Sequence, residues 1–143
     1  MTSGRGNPPH ILKNNMDAKE LMIGDKVMVK VLSQIPDTYV LHTWTANDYS
    51  RDIQVKPIPL SAKILEENGF WEDEDDIRYH NESEMWVHTD VNLTIEKFEG
   101  RLQCYEIPDM QFNYVHQIQQ VLRLCRLNEL ADNFKVYGEW IWI

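Results

Sequence analysis

The side chains of this sequence with the most chemical potential are scattered. His42, His80, His88 and His116 share no H-x-x-x-H spacing, and Cys104 and Cys125 form no close pair of the kind a metal site uses. His88 and Asp90 are the pair best spaced for proton transfer: on a strand they share a face, and a carboxylate raises imidazole basicity. No nucleophile or third group accompanies them, so an ordinary surface pair is the preferred reading. Trp71 is followed by the five carboxylates Glu72, Asp73, Glu74, Asp75 and Asp76, which lack the alternation and central glycine of a calcium loop. A solvated loop is expected there. No catalytic residue, metal ligand or cofactor is assigned, and a noncatalytic role is favoured over an enzyme with a spatially assembled site.

Binding chemistry remains. Lys and Arg total 14 against 23 Asp and Glu, a formal charge of -9 that repels phosphate backbones. That balance serves solubility, and it also suits a basic protein partner. Arg123 and Arg126 lie on neighbouring turns of a helical stretch, where they can grip phosphate or carboxylate. Leu127, like Leu124, falls outside the apolar stripe and wants cover. With Trp140 and Trp142 these residues are the protein-binding candidates. The nucleic-acid alternative requires Trp44, Tyr49, Trp86 and Tyr105 to converge outward with Arg51, Lys26 and Lys30, so that bases stack on the rings.

The elements that would position these groups follow from spacing. Val27, Val29 and Val31 alternate with Lys26, Met28 and Lys30, residues 38–44 carry branched and aromatic side chains, and Ile53 and Val55 alternate again. Asn47-Asp48 reads as a turn between the second and third of these strands. Pro57 and Pro59 end the third strand, and Ser61 caps a short helix, with Leu60 and Leu65 at the spacing of a hydrophobic staple. Gly69 is placed to close that helix in the left-handed conformation, with Phe70 folding back on Leu65.

Residues 77–79, 85–90, 93–98 and 102–107 read as further strands. Asn113 is expected to cap a longer helix with Tyr114, Ile118, Val121, Leu122 and Cys125 on its buried stripe. Gln117, Gln119, Gln120, Arg123 and Arg126 are expected to face water. Residues 136–143 read as a strand, with Trp140 and Trp142 on one side and Ile141 and Ile143 on the other. An internal sheet position is preferred for it over pairing with an edge in another subunit or partner. The expected fold is α+β, a small curled antiparallel sheet or SH3-like partial barrel with one short and one longer helix. Residues 1–15 read as a flexible arm and 16–143 as one compact domain. No apolar run is long enough to span a membrane, the start lacks a signal-peptide core, and two unpaired cysteines suit a reducing compartment. A cytoplasmic location is expected.

Three stretches carry a resemblance: MDAKELMIGDKV at 16–27, KPIPLSAKILEENGF at 56–70, and 114–130, which opens YVHQIQQV. Together they resemble small proteins encoded by Bacteroidetes and their phages or mobile elements, a family that supplies no established activity. Its members commonly end the last helix at a glycine-containing corner. Here Arg126-Leu127-Asn128 stands in that place, so a longer helix is expected. They commonly begin at the equivalent of Met16, so 1–15 looks like an addition. The resemblance and the acidic composition together imply a small noncatalytic binding protein, a phage or mobile-element factor acting on a host protein. Self-association is the other protein-binding option, and a nucleic-acid-associated accessory module is the alternative.

Overall fold

A computed structural model describes residues 16–31, 39–73, 83–98, 101–104 and 107–137. The expected arm, the strand at 77–79, Tyr105, Trp140 and Trp142 lie outside them. The fold is α+β, with the strands divided between two antiparallel sheets that do not close into a barrel among the described residues. Contacts gather these residues into two compact units, 16–58 and 59–137.

The first unit holds β1 (Lys26–Val31), β2 (Val40–Thr43) and β3 (Ile53–Lys56) in the order β2-β1-β3. Val27 lies opposite His42, and Val29 lies between Val40 and Val55, so the alternation read from the sequence sets the register. Leu21, Val27, Val29, Trp44 and Val55 form the buried cluster, with Met16, Ala18 and Ile53 packed against it. Lys56 is buried, and its Nζ lies 4.6 Å from the centre of the Tyr39 ring.

Asn47-Asp48 does turn the chain between β2 and β3, within the 3-10 helix Ala46–Ser50, and Asp48 is only 2% exposed there. Its carboxylate accepts the Thr45 amide at 2.7 Å, the Thr45 hydroxyl at 2.8 Å, the Arg51 guanidinium at 2.8 Å and His42 Nε2 at 2.7 Å. Burial by itself pushes a carboxyl group up. The donors of His42, Thr45 and Arg51 together outweigh that and hold Asp48 well below the usual carboxylate range. A depressed group stabilises the fold above its unfolded value and loses that contribution as pH falls from there through the folded value. Asp48→Asn is therefore expected to cost about 2 kcal/mol near neutrality. In urea unfolding the gap between wild type and variant should narrow once pH drops below about 4. A gap unchanged between neutral pH and pH about 3 would show that ionised Asp48 carries no such role.

The second unit holds a sheet in sequential order: β4 (Phe70–Glu72), β5 (Ser83–His88), β6 (Thr94–Phe98), β7 (Arg101–Cys104) and β8 (Ile107–Phe112). The start of the acidic run was expected to be loop, yet Trp71 and Glu72 belong to β4, because Phe70 is buried and pulls its neighbours into register opposite His88, Val87 and Trp86. The stretch read as one strand at 102–107 is divided between β7 and β8, which pair with a register shift between Gln103 and Cys104.

Three helices accompany this sheet: α1 (Ala62–Glu67), α2 (Val115–Leu124) and α3 (Asn128–Asp132). Ser61 caps α1 as its sequence predicts, its hydroxyl accepting the Ile64 amide at 3.2 Å. The start of α2 is satisfied differently from expectation: Gln117 Oε1 reaches back to the amides of Asn113 and Tyr114 at 2.7 and 3.1 Å, so Asn113 is not the capping side chain. Val115, Ile118, Val121 and Leu122 are buried as the stripe requires. Gln119 was placed toward water and is fully buried, its amide donating to the Ala131 carbonyl at 3.0 Å. Arg123 was placed there too, and it instead reaches Asp132 at 3.5 Å with a side chain only 12% exposed. Both corrections have one cause. The chain doubles back after α2, so α3 covers a face that a lone helix would present to solvent.

Candidate functional site

That doubling back depends on a corner in an uncommon conformation. The α2 helix ends at Leu124, and Arg126 takes φ of 65°, the left-handed region. The Leu127 amide bonds the Leu122 carbonyl at 2.9 Å and the Arg126 amide bonds that of Arg123 at 3.0 Å, the two bonds of a Schellman closure. The longer helix expected through 126–132 is thereby corrected. Arg126 occupies the position that glycine normally fills, at a cost of about 1 kcal/mol.

A second left-handed corner closes α1. Gly69 has φ of 88°, and its amide bonds the Glu66 carbonyl at 3.2 Å, as the sequence predicts. Beside it, Asn68 is buried and its side chain is fully engaged. Asn68 Nδ2 donates to the carbonyls of Ile64 and Lys135, both at 2.8 Å, and Oδ1 accepts the Lys135 amide at 2.6 Å. The chain leaving α3 is thus held to the end of α1 as a strand is held to its neighbour. Asn68 also offers its backbone carbonyl to His88 Nε2 at 2.9 Å.

His88 completes the arrangement from the end of β5. Its Nδ1 accepts the backbone amide of Asp90 at 3.0 Å, so the ring proton sits on Nε2 and donates to Asn68. The ring meets Phe70 edge-on, with centroids 4.9 Å apart. Of Asp90 it is the backbone amide, not the carboxylate, that bonds His88. The imidazole therefore acts as a strut with both nitrogens occupied.

These pieces enclose a cleft of about 650 Å³ between the end of α1, the turn after β5 and the Arg126 corner with α3. Val91, Leu127 and Leu130 give it a half-buried apolar lining. Five charged residues border it: Glu67, Asp90 and Glu129, and against them Arg126 and Lys135. None of these five side chains makes an ion pair among the described residues, so each has charge to offer a ligand. Such a setting can hold an apolar group and read the charges beside it.

Of the protein-binding candidates, Arg126 and Leu127 come together at this cleft, whereas Arg123 is taken up in the α2 to α3 contact. Of the nucleic-acid candidates, Tyr105 lies outside the described residues, and the two tryptophans are too buried to stack on bases. Trp44 is 0% exposed and Trp86 is 5% exposed. Tyr49 donates its hydroxyl to the Leu21 carbonyl at 2.6 Å and meets Trp44 edge-on, and Arg51 is bound to Asp48. Tyr49 and Arg51 are exposed, but each is held in place by these contacts. Sequence reading missed Asn68 and Lys135, whose connection spans 67 positions and leaves no local pattern. Among the described residues no group of three or more His, Cys, Asp or Glu is placed to hold a metal ion, and no helix is long and apolar enough to cross a membrane. Comparison with models of known families, with curated proteins and with solved structures gives no match.

Gly69 is fixed by contact as well as by conformation. A Cβ there would lie 2.6 Å from His88 Nε2. Gly69→Ala is expected to lower stability by about 2 kcal/mol or more, from left-handed strain and displacement of the imidazole. Chemical denaturation checks this, with Glu67→Ala as a control expected to stay within about 0.5 kcal/mol of wild type.

Proposed function

We propose that this chain is a noncatalytic binding protein, a phage or mobile-element factor that acts on a host protein and holds part of it in the cleft beside Arg126. One observation carries the reading. Arg126 keeps a backbone conformation that glycine would adopt without strain, and it does so at the lip of the cleft, with its guanidinium unpaired among the described residues. A residue retained against local stability is expected where its side chain is needed. Leu127 and Leu130 supply apolar surface beside it, and guanidinium is the cation best suited to fix the orientation of a carboxylate or carbonyl group on a partner.

The acidic composition supports the choice of protein over nucleic acid, as does the burial of Trp44 and Trp86. The resemblance to proteins of Bacteroidetes phages and mobile elements supports the biological setting.

Arg126→Gly separates binding from folding. The variant is expected to gain about 1 kcal/mol of stability in urea unfolding through relief of the left-handed strain. Tagged wild-type chain should capture one host protein from its native lysate in near-stoichiometric amount, insensitive to nuclease, and Arg126→Gly should recover at least about tenfold less, equivalent to about 1.4 kcal/mol of lost affinity. Equal recovery by both would remove Arg126 from the binding site. Recovery abolished by nuclease would favour the nucleic-acid-associated alternative.

A further inference from the structure

The cleft beside Arg126 carries acids that the binding role given to Arg126 leaves unused. Glu67, Asp90 and Glu129 border it against Arg126 and Lys135, all within the second unit, and no two of the five form an ion pair among the described residues. At about 650 Å³ the cleft is on the order of 10 Å across, close to one Debye length at physiological ionic strength, so a charge seated in it feels all five. The acids outnumber the cations. A segment that brings only a carboxylate to Arg126 is therefore opposed by its surroundings, and one that brings only a cation is opposed by Arg126 and Lys135.

The acids differ in their local setting. Glu129 lies in the first turn of α3, where exposed amides favour a negative charge. Glu67 has the opposite surroundings. It is the last residue of α1, beside carbonyls that carry partial negative charge, and it is half-buried where Asp90 and Glu129 are exposed. A half-buried carboxylate at the negative end of a helix, with no ion pair among the described residues, is the group at this cleft with most to gain from a cation that a ligand supplies.

We propose that the partner segment held in the cleft is amphoteric: an apolar side chain packs on Leu127 and Leu130, a carboxylate to one side of it meets Arg126, and a lysine or arginine to the other side meets Glu67. This rests on the binding role of Arg126 and adds a cation to the chemistry of the partner. The apolar lining suits many occupants. Opposite charges on the two sides of it fix the direction of the segment, because one turned end for end faces like charges.

Capped tripeptides titrated into the full-length chain test this, read from the amide shifts of Val91, Leu127 and Leu130. Lysyl-leucyl-glutamate and glutamyl-leucyl-lysine present the two charges in the two orders, and glutamine in place of either charged residue gives the singly charged controls. One amphoteric order should bind at least about threefold more tightly than the other order and than its own controls, the size of one part-exposed ion pair. Glu67→Gln should bring that peptide down to the affinity of its anionic control, with the amide shifts of the free protein unchanged outside the cleft. Equal affinity of the amphoteric and anionic peptides, or an advantage that survives Glu67→Gln, would overturn the proposal and leave the role of Arg126 standing. No shift at the cleft with any of these peptides at about 10 mM would overturn it as well. The role of Arg126 fails on a different result, equal recovery of the host protein by Arg126→Gly.

Discussion

The cleft depends on Asn68. This single side chain, at the end of a six-residue helix, joins its own helix through Ile64 and the chain leaving α3 through both backbone groups of Lys135. Its backbone carbonyl fixes His88. A buried carboxamide whose polar atoms are all bonded is stabilising and geometrically specific, whereas one left unpaired is costly. The end of α1, the turn after β5 and the segment following α3 are therefore fixed relative to one another by one residue, through its carboxamide and its backbone carbonyl. The cleft is what lies between them.

Around that fixed point the second unit tolerates one conformational cost. Gly69 and Arg126 close their helices in the same left-handed way, but glycine does so freely and arginine does not. The difference is informative because Gly69 also sits where any Cβ would strike His88. At Gly69 the fold dictates the residue. At Arg126, whose side chain is exposed on the cleft lip, glycine would meet the same backbone conformation with less strain.

Local physics was legible in the sequence wherever a few neighbouring residues determined the outcome. Ser61 and Gly69 bracket α1 through contacts three or four positions away, and the valine alternation in β1 sets both strand pairings. Longer-range determinants were not legible. Arg126-Leu127-Asn128 has good helix formers and no glycine, so nothing local announces a corner there. Gln119 and Arg123 read as solvent-facing because α3 cannot be known to fold back over them. Asp48 stood three residues after Thr45, the spacing of a capping box, and that signal would have located the buried carboxylate at its turn. Asn68 could not be found by any spacing rule, since its partner is Lys135.

The most direct test of this account is the exchange rate of the Lys135 amide in Asn68→Ala, measured together with the unfolding free energy. Loss of the three side-chain bonds should cost about 3 kcal/mol. It should also release the Lys135 amide to exchange by local opening, well ahead of global unfolding. An amide at Lys135 that remains as protected as in the wild type, with stability unchanged, would contradict the claim that Asn68 holds the cleft together.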